Sequence, residues 1–190
     1  AFLGPVLDGV GHGNFGVLAY HDPPPVPVVL FDVQLFRTAV WVPALFGVAG
    51  LLIGFLYSLF DDVLSTPMEK RRPSLAVVAI AVVAFFAQYV ASGWMWSNGF
   101  DVGLENALLA LWGASALWFL DGTLAGLIVA VLTAVGGPII EVFLVNAPWW
   151  DLYAYTTPDA WGVDSWIPWV YLCGAPAVGC VARFARLRVG

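Results

Sequence analysis

The sequence predicts an all-α fold, a polytopic bundle of transmembrane helices with five complete helices and a partial first helix. Hydrophobic residues make up 61% of the 190 residues and charged residues only 11%, whereas a soluble domain is about 25% charged. The mean hydropathy is +0.88. Apolar runs also recur at close to the ~20 residues that a helix needs to cross a bilayer core. Most of the protein surface must therefore face lipid.

The five complete helices are predicted from apolar segments that are bounded by charged residues or by Gly, Pro and Asn. The connections between them are short, so neighbouring helices should be antiparallel. We find no internal repeat. The predicted spans are 39–60, 74–96, 104–120, 124–146 and 165–184.

The amino-terminal region differs in composition from the rest. Residues 1–20 are apolar but rich in Gly and Pro, and we expect them to be the end of a first transmembrane helix that begins before Ala1. Residues 21–37 contain HDPPPVP, which predicts a stiff, extended, Pro-rich linker. The chain is thus expected to be a single membrane domain, residues 1–190, with a five-helix core at 39–184.

Basic residues indicate the orientation in the membrane. One group follows the first complete helix and the other follows the last, and alternation of five helices places both groups on one side. We assign this side, and the carboxy terminus, to the cytosol or stroma; bacterial inner membrane, endoplasmic reticulum and chloroplast membrane are not distinguished. The basic residues are Lys70, Arg71, Arg72, Arg183, Arg186 and Arg188, and the acidic side carries Asp22, Asp32, Asp101, Glu105, Asp151, Asp159 and Asp164.

The composition argues against several classes of function. A net charge of -6 does not favour nucleic acid, whose phosphates need a basic surface. Cys173 and Cys180 lie seven residues apart, about 10 Å along a helix and too far for a disulfide. Neither a GxSxG nor an HExxH motif is present, and His12 and His21 are the only histidines. We therefore expect a protein that is not an enzyme and has no metal site.

Small residues recur at four-residue spacing in two of the predicted spans and across the start of a third. Such faces let helix backbones approach closely in lipid. We expect them to pack helices within this chain, and a homo-oligomer interface is the alternative. The pairs are Gly50 with Gly54, Gly122 with Gly126, and Ala175 with Gly179.

Glu141 is the one acidic residue well inside a predicted span, just after Gly136-Gly137-Pro138, which we expect to bend the helix. An ionised carboxylate in a membrane costs about 2.5–3.5 kcal/mol. Glu141 should therefore either bond to Asn146 or a neighbouring helix, or line a ligand cavity. The predicted cavity set is Glu141, Gly137, Pro138, Gln88 and Asn106.

Two further positions have alternative interpretations. Asp121 ends the third helix at the charged face, where a carboxylate is expected to meet water in a turn. The segment from Tyr155 to Asp159, with Thr156 and Pro158, lies in the loop before the last helix, where Pro and Asp suit a turn.

Several of these segments resemble the Insig (insulin-induced gene) family in order and spacing. Trp41-Val42-Pro43 opens a run that ends at Asp61, and Trp118 precedes Asp121. Tyr155 to Asp159 resembles the family's Tyr-Thr-Ser-Pro-Asp. The resemblance covers residues 39–184, and the stretch from Tyr155 onward is its most specific part. Its motif positions are Trp41, Pro43, Tyr155, Thr156, Pro158, Asp159, Trp166 and Pro168.

The resemblance implies six transmembrane helices, cytosolic termini, and a central cavity that takes a sterol in animal members and a diacylglycerol-like lipid in bacterial relatives. It also places Asp121 on the aspartate with which animal members engage their sterol-sensing partner. The chain departs from the family near Leu104, where animal members carry a glutamine, and at Gly122-Thr123-Leu124, where they carry basic residues.

The sequence thus predicts a prokaryotic- or plastid-like divergent member that binds a lipid or scaffolds other membrane proteins. Its expected partners are membrane lipids, membrane proteins and further copies of itself. The first alternative is an accessory subunit of a larger membrane complex, with chlorophyll or carotenoid as cofactor if that complex is photosynthetic. A small transporter is the second, with Glu141 as its relay.

Overall fold

The computed structural model describes residues 3–21 and 23–189, with side chains described through residue 187. The helices are α1 (Leu3–Asp8, continued by a π-helical turn at Gly9–Gly13), α2 (Val42–Val63), α3 (Leu75–Ser97), α4 (Val102–Ala116, continued by a π-helical turn at Leu117–Asp121), α5 (Leu124–Asn146) and α6 (Ile167–Val189). The strands are β1 (Leu18–Tyr20), β2 (Val26–Leu30), β3 (Val33–Thr38) and β4 (Tyr153–Tyr155).

The prediction of an all-α membrane bundle is confirmed. Among the described residues, α2, α3, α4 with its π-helical turn, α5 and α6 are long and apolar enough to cross a membrane. They coincide with the five predicted spans, with ends that differ by a few residues. The protein is an integral membrane protein.

Side-chain caps explain where three of these helices begin. Ser74 Oγ accepts a hydrogen bond from the backbone N–H of the third residue along, at 3.3 Å. Asp101 does the same for α4 at 3.0 Å, and Thr123 for α5 at 2.9 Å. Each cap satisfies a backbone donor that a helix leaves without a partner in its first turn.

The amino-terminal region contains structure that the sequence analysis missed. The described residues of 1–20 are helical only as far as Gly13. Part of the expected linker is a hairpin, in which β2 pairs with β3 antiparallel from Val26–Thr38 to Leu30–Val33. Its turn residues Phe31 and Asp32 both have positive φ, 48° and 63°, as a two-residue turn between twisted strands requires.

Helix α6 lies at the centre of the bundle, where α2, α3, α4 and α5 all pack against it. More of its membrane-spanning window is buried than in any other described span. Gly179 shows why small residues are needed there: a Cβ at this position would lie 2.4 Å from the Tyr57 ring.

The two strands outside the hairpin cover one end of the bundle. β1 pairs antiparallel with β4, with Leu18 opposite Tyr155 and Tyr20 opposite Tyr153. Residues from this sheet pack in a cluster with Trp166 and Tyr89. The sheet therefore brings tyrosines that are distant in sequence to the ends of α3, α5 and α6.

At the end of the bundle opposite the β1–β4 sheet, ion pairs connect the two basic segments, one after α2 and one at the end of α6. Asp62 pairs with Arg71 at 2.7 Å and with Arg186 at 3.1 Å. The two groups of basic residues thus lie at the same end of the bundle, as the alternation of helices predicts. Asp22 and the side chain of Arg188 lie outside the described residues.

Candidate functional site

A large apolar cavity of about 720 Å³ lies between α1, α2, α3 and α6. Its volume is within the ~300–1,000 Å³ that is usual for small-molecule sites. Among the described residues, Ser58 is the one polar side chain in its lining. The remaining lining residues are Leu3, Gly4, Leu7, Phe46, Gly47, Gly50, Leu51, Gly54, Phe55, Val82, Phe85, Ala177, Val178, Val181 and Ala182.

Glycines on α2 create much of this space. Gly47, Gly50 and Gly54 recur at helical spacing and leave one face of α2 without side chains. A Cβ added at Gly50 would meet no atom within 4 Å, whereas one at Gly54 would lie 3.2 Å from the Cβ of Ala182. The prediction that Gly50 packs helices closely is therefore wrong, because this glycine faces the cavity.

A second, much smaller cavity of about 40 Å³ lies between Asp8 and Glu141. Five tyrosines line it, together with Trp41 and four aliphatic or aromatic residues. The tyrosines are Tyr20, Tyr89, Tyr153, Tyr155 and Tyr171. We call this the tyrosine cavity.

Four of these tyrosines donate hydrogen bonds to the two carboxylates. Asp8 accepts from Tyr20 and, at 3.4 Å, from Tyr89. Glu141 accepts from Tyr155 and, at 2.5 Å, from Tyr171. Glu141 therefore bonds to a loop strand and a neighbouring helix, whereas Asn146 donates elsewhere, to the backbone oxygens of Val142 and Trp161.

Burial and nearby carboxylates raise the pKa of both tyrosines of β4. Burial first, then the charges of Glu141 and Asp8, raise the pKa of Tyr153. Burial and Glu141 likewise raise the pKa of Tyr155. Both phenols are therefore neutral at any physiological pH and can donate one hydrogen bond each.

At the other end of the bundle, Arg183 forms a buried charge cluster with Asp61 and Asp121. Its Nε and Nη2 donate to Asp61 at 2.8 and 2.7 Å, and its Nη1 donates to Asp121 at 2.9 Å. The guanidinium also lies 4.9 Å from the centre of the Tyr57 ring. Arg183, Asp61 and Asp121 are 5%, 1% and 3% exposed. The expectation that Asp121 meets water is wrong, because its carboxylate pairs within the chain.

The other predicted cavity residues line neither cavity. Gln88 is fully buried and donates to the backbone oxygens of Leu109 and Trp169, which ties α3 to α4 and α6. Asn106 donates to Ser165 at 3.0 Å and accepts from Trp169 at 2.8 Å.

Gly137 and Pro138 also serve packing. A Cβ at Gly137 would lie 2.4 Å from the Tyr171 ring, and Pro138 is buried within α5, which remains helical through it. Of the predicted cavity set, only Glu141 lies at one of these cavities, because the polar side chains of Gln88 and Asn106 satisfy backbone and side-chain groups between helices.

The remaining small residues contact specific neighbours. A Cβ at Gly126 would meet the Asp121 carboxylate at 2.3 Å, and Gly122 has a φ of +62° at the end of the π-helical turn. Ala175 is fully buried in α6.

The positions that carry the family resemblance lie in two places: Asp61 and Asp121 belong to the buried charge cluster, and Tyr155 and Trp166 lie at the β1–β4 end of the bundle. Thr156 donates to the backbone oxygen of Gly16 at 2.5 Å. Asp159 accepts from the backbone N–H and the hydroxyl of Ser165 just before α6, at 2.6 and 2.7 Å. Trp166 is 1% exposed, whereas Pro43 and Pro158 are exposed and Pro168 is partly buried.

Sequence reasoning missed Asp8, Asp61 and Arg183 as members of these clusters. Charged residues at or near the ends of apolar segments were a signal for Asp61 and Arg183, but they also suit solvated helix ends. Asp8 lies in a Gly-rich segment without helical periodicity, and nothing in its local sequence indicates burial.

Among residues 3–21 and 23–189, no three His, Cys, Asp or Glu residues are placed to hold a metal ion together. Cys173 and Cys180 are both buried and free.

Comparison with known proteins gives sequence and structural relatives. No family model matches the chain. The chain is 29% identical over 149 residues to the insulin-induced gene 1 protein of Gallus gallus; this match covers 78% of the chain but only 57% of the chicken protein.

The fold is similar to the mycobacterial Insig homologue MvINS from Mycobacterium vanbaalenii, with a TM-score of 0.75 and 22% identity over 100% of this chain and 93% of that one. A cross-linked MvINS trimer matches with the same TM-score and coverage at 23% identity.

Proposed function

Because the chain is a divergent member of the Insig family, we propose that it is a non-catalytic membrane protein that holds a lipid in its large apolar cavity and assembles with other membrane proteins. The single observation that carries the lipid proposal is the cavity between α1, α2, α3 and α6. Its volume is about 720 Å³, and Ser58 is the one polar side chain among the described residues that line it.

The chemistry of the lining favours hydrocarbon over a polar ligand. A polar solute in this cavity would lose its hydrogen bonds to water and find Ser58 as the one side-chain partner, which costs several kcal/mol. An acyl chain or a sterol ring has no such cost. Since the bilayer interior is as apolar as the cavity, the ligand would be selected by packing and shape rather than by the hydrophobic effect.

The cavity also adjoins the tyrosine cavity, because Phe46 lines both and Leu7 and Asp8 are consecutive in α1. A lipid in the apolar cavity would thus lie beside the tyrosine cavity, which at about 40 Å³ is too small to admit a polar headgroup. The apolar lining suits the hydrocarbon part of a ligand of the sterol or diacylglycerol type.

Native mass spectrometry in mild detergent tests the proposal. Gly50→Leu places a branched side chain in the cavity, and its Cβ would meet no described atom within 4 Å. We expect the wild-type protein to retain lipid and Gly50→Leu to lose most of it.

Gly136→Leu is the matched control. Gly136 also has no atom within 4 Å of an added Cβ, but it does not line the cavity. Equal lipid retention in wild type and Gly50→Leu would exclude this cavity as the lipid site. Protein subunits without lipid would instead support an accessory structural role.

The proposal of assembly rests on the family and on the cross-linked trimer of MvINS. The same mass spectra would report the number of copies directly. A monomer at every detergent concentration would contradict a stable homo-oligomer.

A further inference from the structure

We propose that the tyrosine cavity is a binding site for one small, hard metal cation, separate from the lipid ligand and independent of it. The site consists of the carboxylates of Asp8 and Glu141 and the tyrosine hydroxyls around them. Hard cations such as Na⁺, K⁺, Ca²⁺ and Mg²⁺ prefer oxygen ligands, and the polar side-chain atoms of these residues are all oxygens. Trp41 also lines the cavity, but its indole N–H, which is buried without a hydrogen-bond partner among the described residues, is a donor and cannot be a ligand.

The two carboxylates share one cavity without a cation from the protein. The described ion pairs of the chain involve Asp61, Asp62, Asp121 and Asp151, and neither Asp8 nor Glu141 is among them. Asp8 is only 6% exposed. Glu141 is partly buried. Two carboxylates that line one small cavity repel each other unless a positive charge lies between them or protons neutralise them.

Tyr153 gives a second, independent indication of a ligand. Its side chain is 7% exposed and lines the cavity, yet its hydroxyl makes no hydrogen bond among the described residues, whereas Tyr20, Tyr89, Tyr155 and Tyr171 each bond to a carboxylate. The hydroxyl oxygen is not fully enclosed by protein atoms, and Tyr153 lines the cavity. The lone pairs of this oxygen are therefore available for a cation there.

The size of the cavity limits the ligand. A volume of about 40 Å³ accommodates only a few water molecules, since each needs about 10–15 Å³ by this measure. A metal ion with one or two waters fits, whereas a lipid headgroup does not. The hydrogen bonds from the tyrosines already fix the positions of the two carboxylates. Little side-chain entropy would therefore be lost when an ion binds.

A bound cation would also join separate parts of the fold. Asp8 belongs to α1 and Glu141 to α5, while the tyrosines come from β1, α3, β4 and α6. The ion would thus connect the amino-terminal segment to the membrane-spanning helices.

The test is thermal unfolding of the purified full chain in detergent, followed by tryptophan fluorescence. The protein is first treated with a chelator and exchanged into N-methylglucamine chloride; NaCl, KCl, CaCl₂ and MgCl₂ are then titrated separately at constant ionic strength. At about 100 times its Kd, the bound ion should raise Tm by roughly 5 °C or more. The rise should be saturable and specific to one ion or to one charge class.

Three substitutions assign the effect to this cavity. Glu141→Gln and Asp8→Asn should each abolish the ion-dependent rise. Tyr153→Phe keeps both charges and should weaken ion binding by about tenfold, the value of one hydrogen-bonding group, so the test remains decisive if a charge variant does not fold. Asp32→Asn, at the exposed hairpin turn, is the control and should behave like wild type.

Two outcomes would overturn the proposal. One is a wild-type Tm that is the same in all five salts at equal ionic strength, which would mean that protons neutralise the carboxylates. The other is an ion-dependent rise that persists unchanged in Tyr153→Phe and in either charge variant.

Discussion

Removing the positive charge of Arg183 should destabilise the protein far more than removing that of Arg186, although both residues lie near the end of the same helix. Arg183 donates three hydrogen bonds to Asp61 and Asp121 inside the bundle, and its side chain is 5% exposed. In Arg183→Met, two buried carboxylates would face each other without a cation. Loss of one partner from a buried ion pair costs about 3–5 kcal/mol.

Arg186 gives the matched control. It pairs with Asp62 at 3.1 Å, and the two side chains are 53% and 52% exposed. Such surface pairs contribute between about 0 and 1 kcal/mol. For a chain of this size, each kcal/mol shifts Tm by about 2–4 °C. We therefore expect Arg183→Met to lower Tm by about 6–20 °C and Arg186→Met by less than about 4 °C.

The assay is thermal unfolding in detergent with tryptophan fluorescence, at matched protein and detergent concentrations. Arg183→Lys should fall between wild type and Arg183→Met, because an ammonium keeps the charge but cannot bridge two carboxylates with a planar fork of donors. Adding Asp61→Asn to Arg183→Met should recover part of the loss by removing one uncompensated charge. Equal, small shifts for Arg183→Met and Arg186→Met would refute the view that this cluster holds the helices together.

Three further predictions concern other parts of the fold. Burial, followed by the charge of Asp159, raises the pKa of Asp164 from 3.8 to about 7, so the folded state holds this proton more tightly than the unfolded state. The proton therefore stabilises the fold fully below about pH 4, and this contribution should be lost as the pH rises to about 7. Over that window, Tm of wild type relative to Asp164→Asn should fall. Cysteine labelling should place positions 70 and 101 on opposite faces of the membrane, with position 70 cytosolic, and the reverse pattern would overturn the orientation. Gly126→Ala should lower Tm, because a Cβ there would lie 2.3 Å from a carboxylate of the buried charge cluster, whereas Gly136→Ala, where a Cβ meets nothing within 4 Å, should leave Tm unchanged or raise it.

The sequence by itself determined the class of fold and the membrane-spanning elements. Apolar runs of about 20 residues in a bilayer form spanning helices, because the backbone N–H and C=O groups in hydrocarbon must make their hydrogen bonds within their own segment. This constraint is local, and it predicted α2 through α6 within a few residues. The order of short motifs from Trp41 to Trp166 was also readable from the chain, and it indicated the resemblance to the Insig family.

Only the tertiary structure decided which polar residues meet. The pairs of the buried charge cluster are separated by more than 60 residues in sequence, and Asp8 meets Tyr89 across 81 residues. Local sequence carries no information on such pairings, because a carboxylate at a helix end suits water as well as a buried arginine. For that reason Asp121 was expected in a turn, and Gln88 and Asn106 were expected in a cavity.

The apolar cavity, too, could not be predicted from local sequence. Gly50 and Gly54 have the spacing of a close helix contact, and whether such a face meets a neighbour or leaves space depends on where the next helix lies. Here α6 comes close at Gly54 and not at Gly50. The angle between two packed helices is set by every side chain between them, so the volume that they enclose is a property of the assembled bundle.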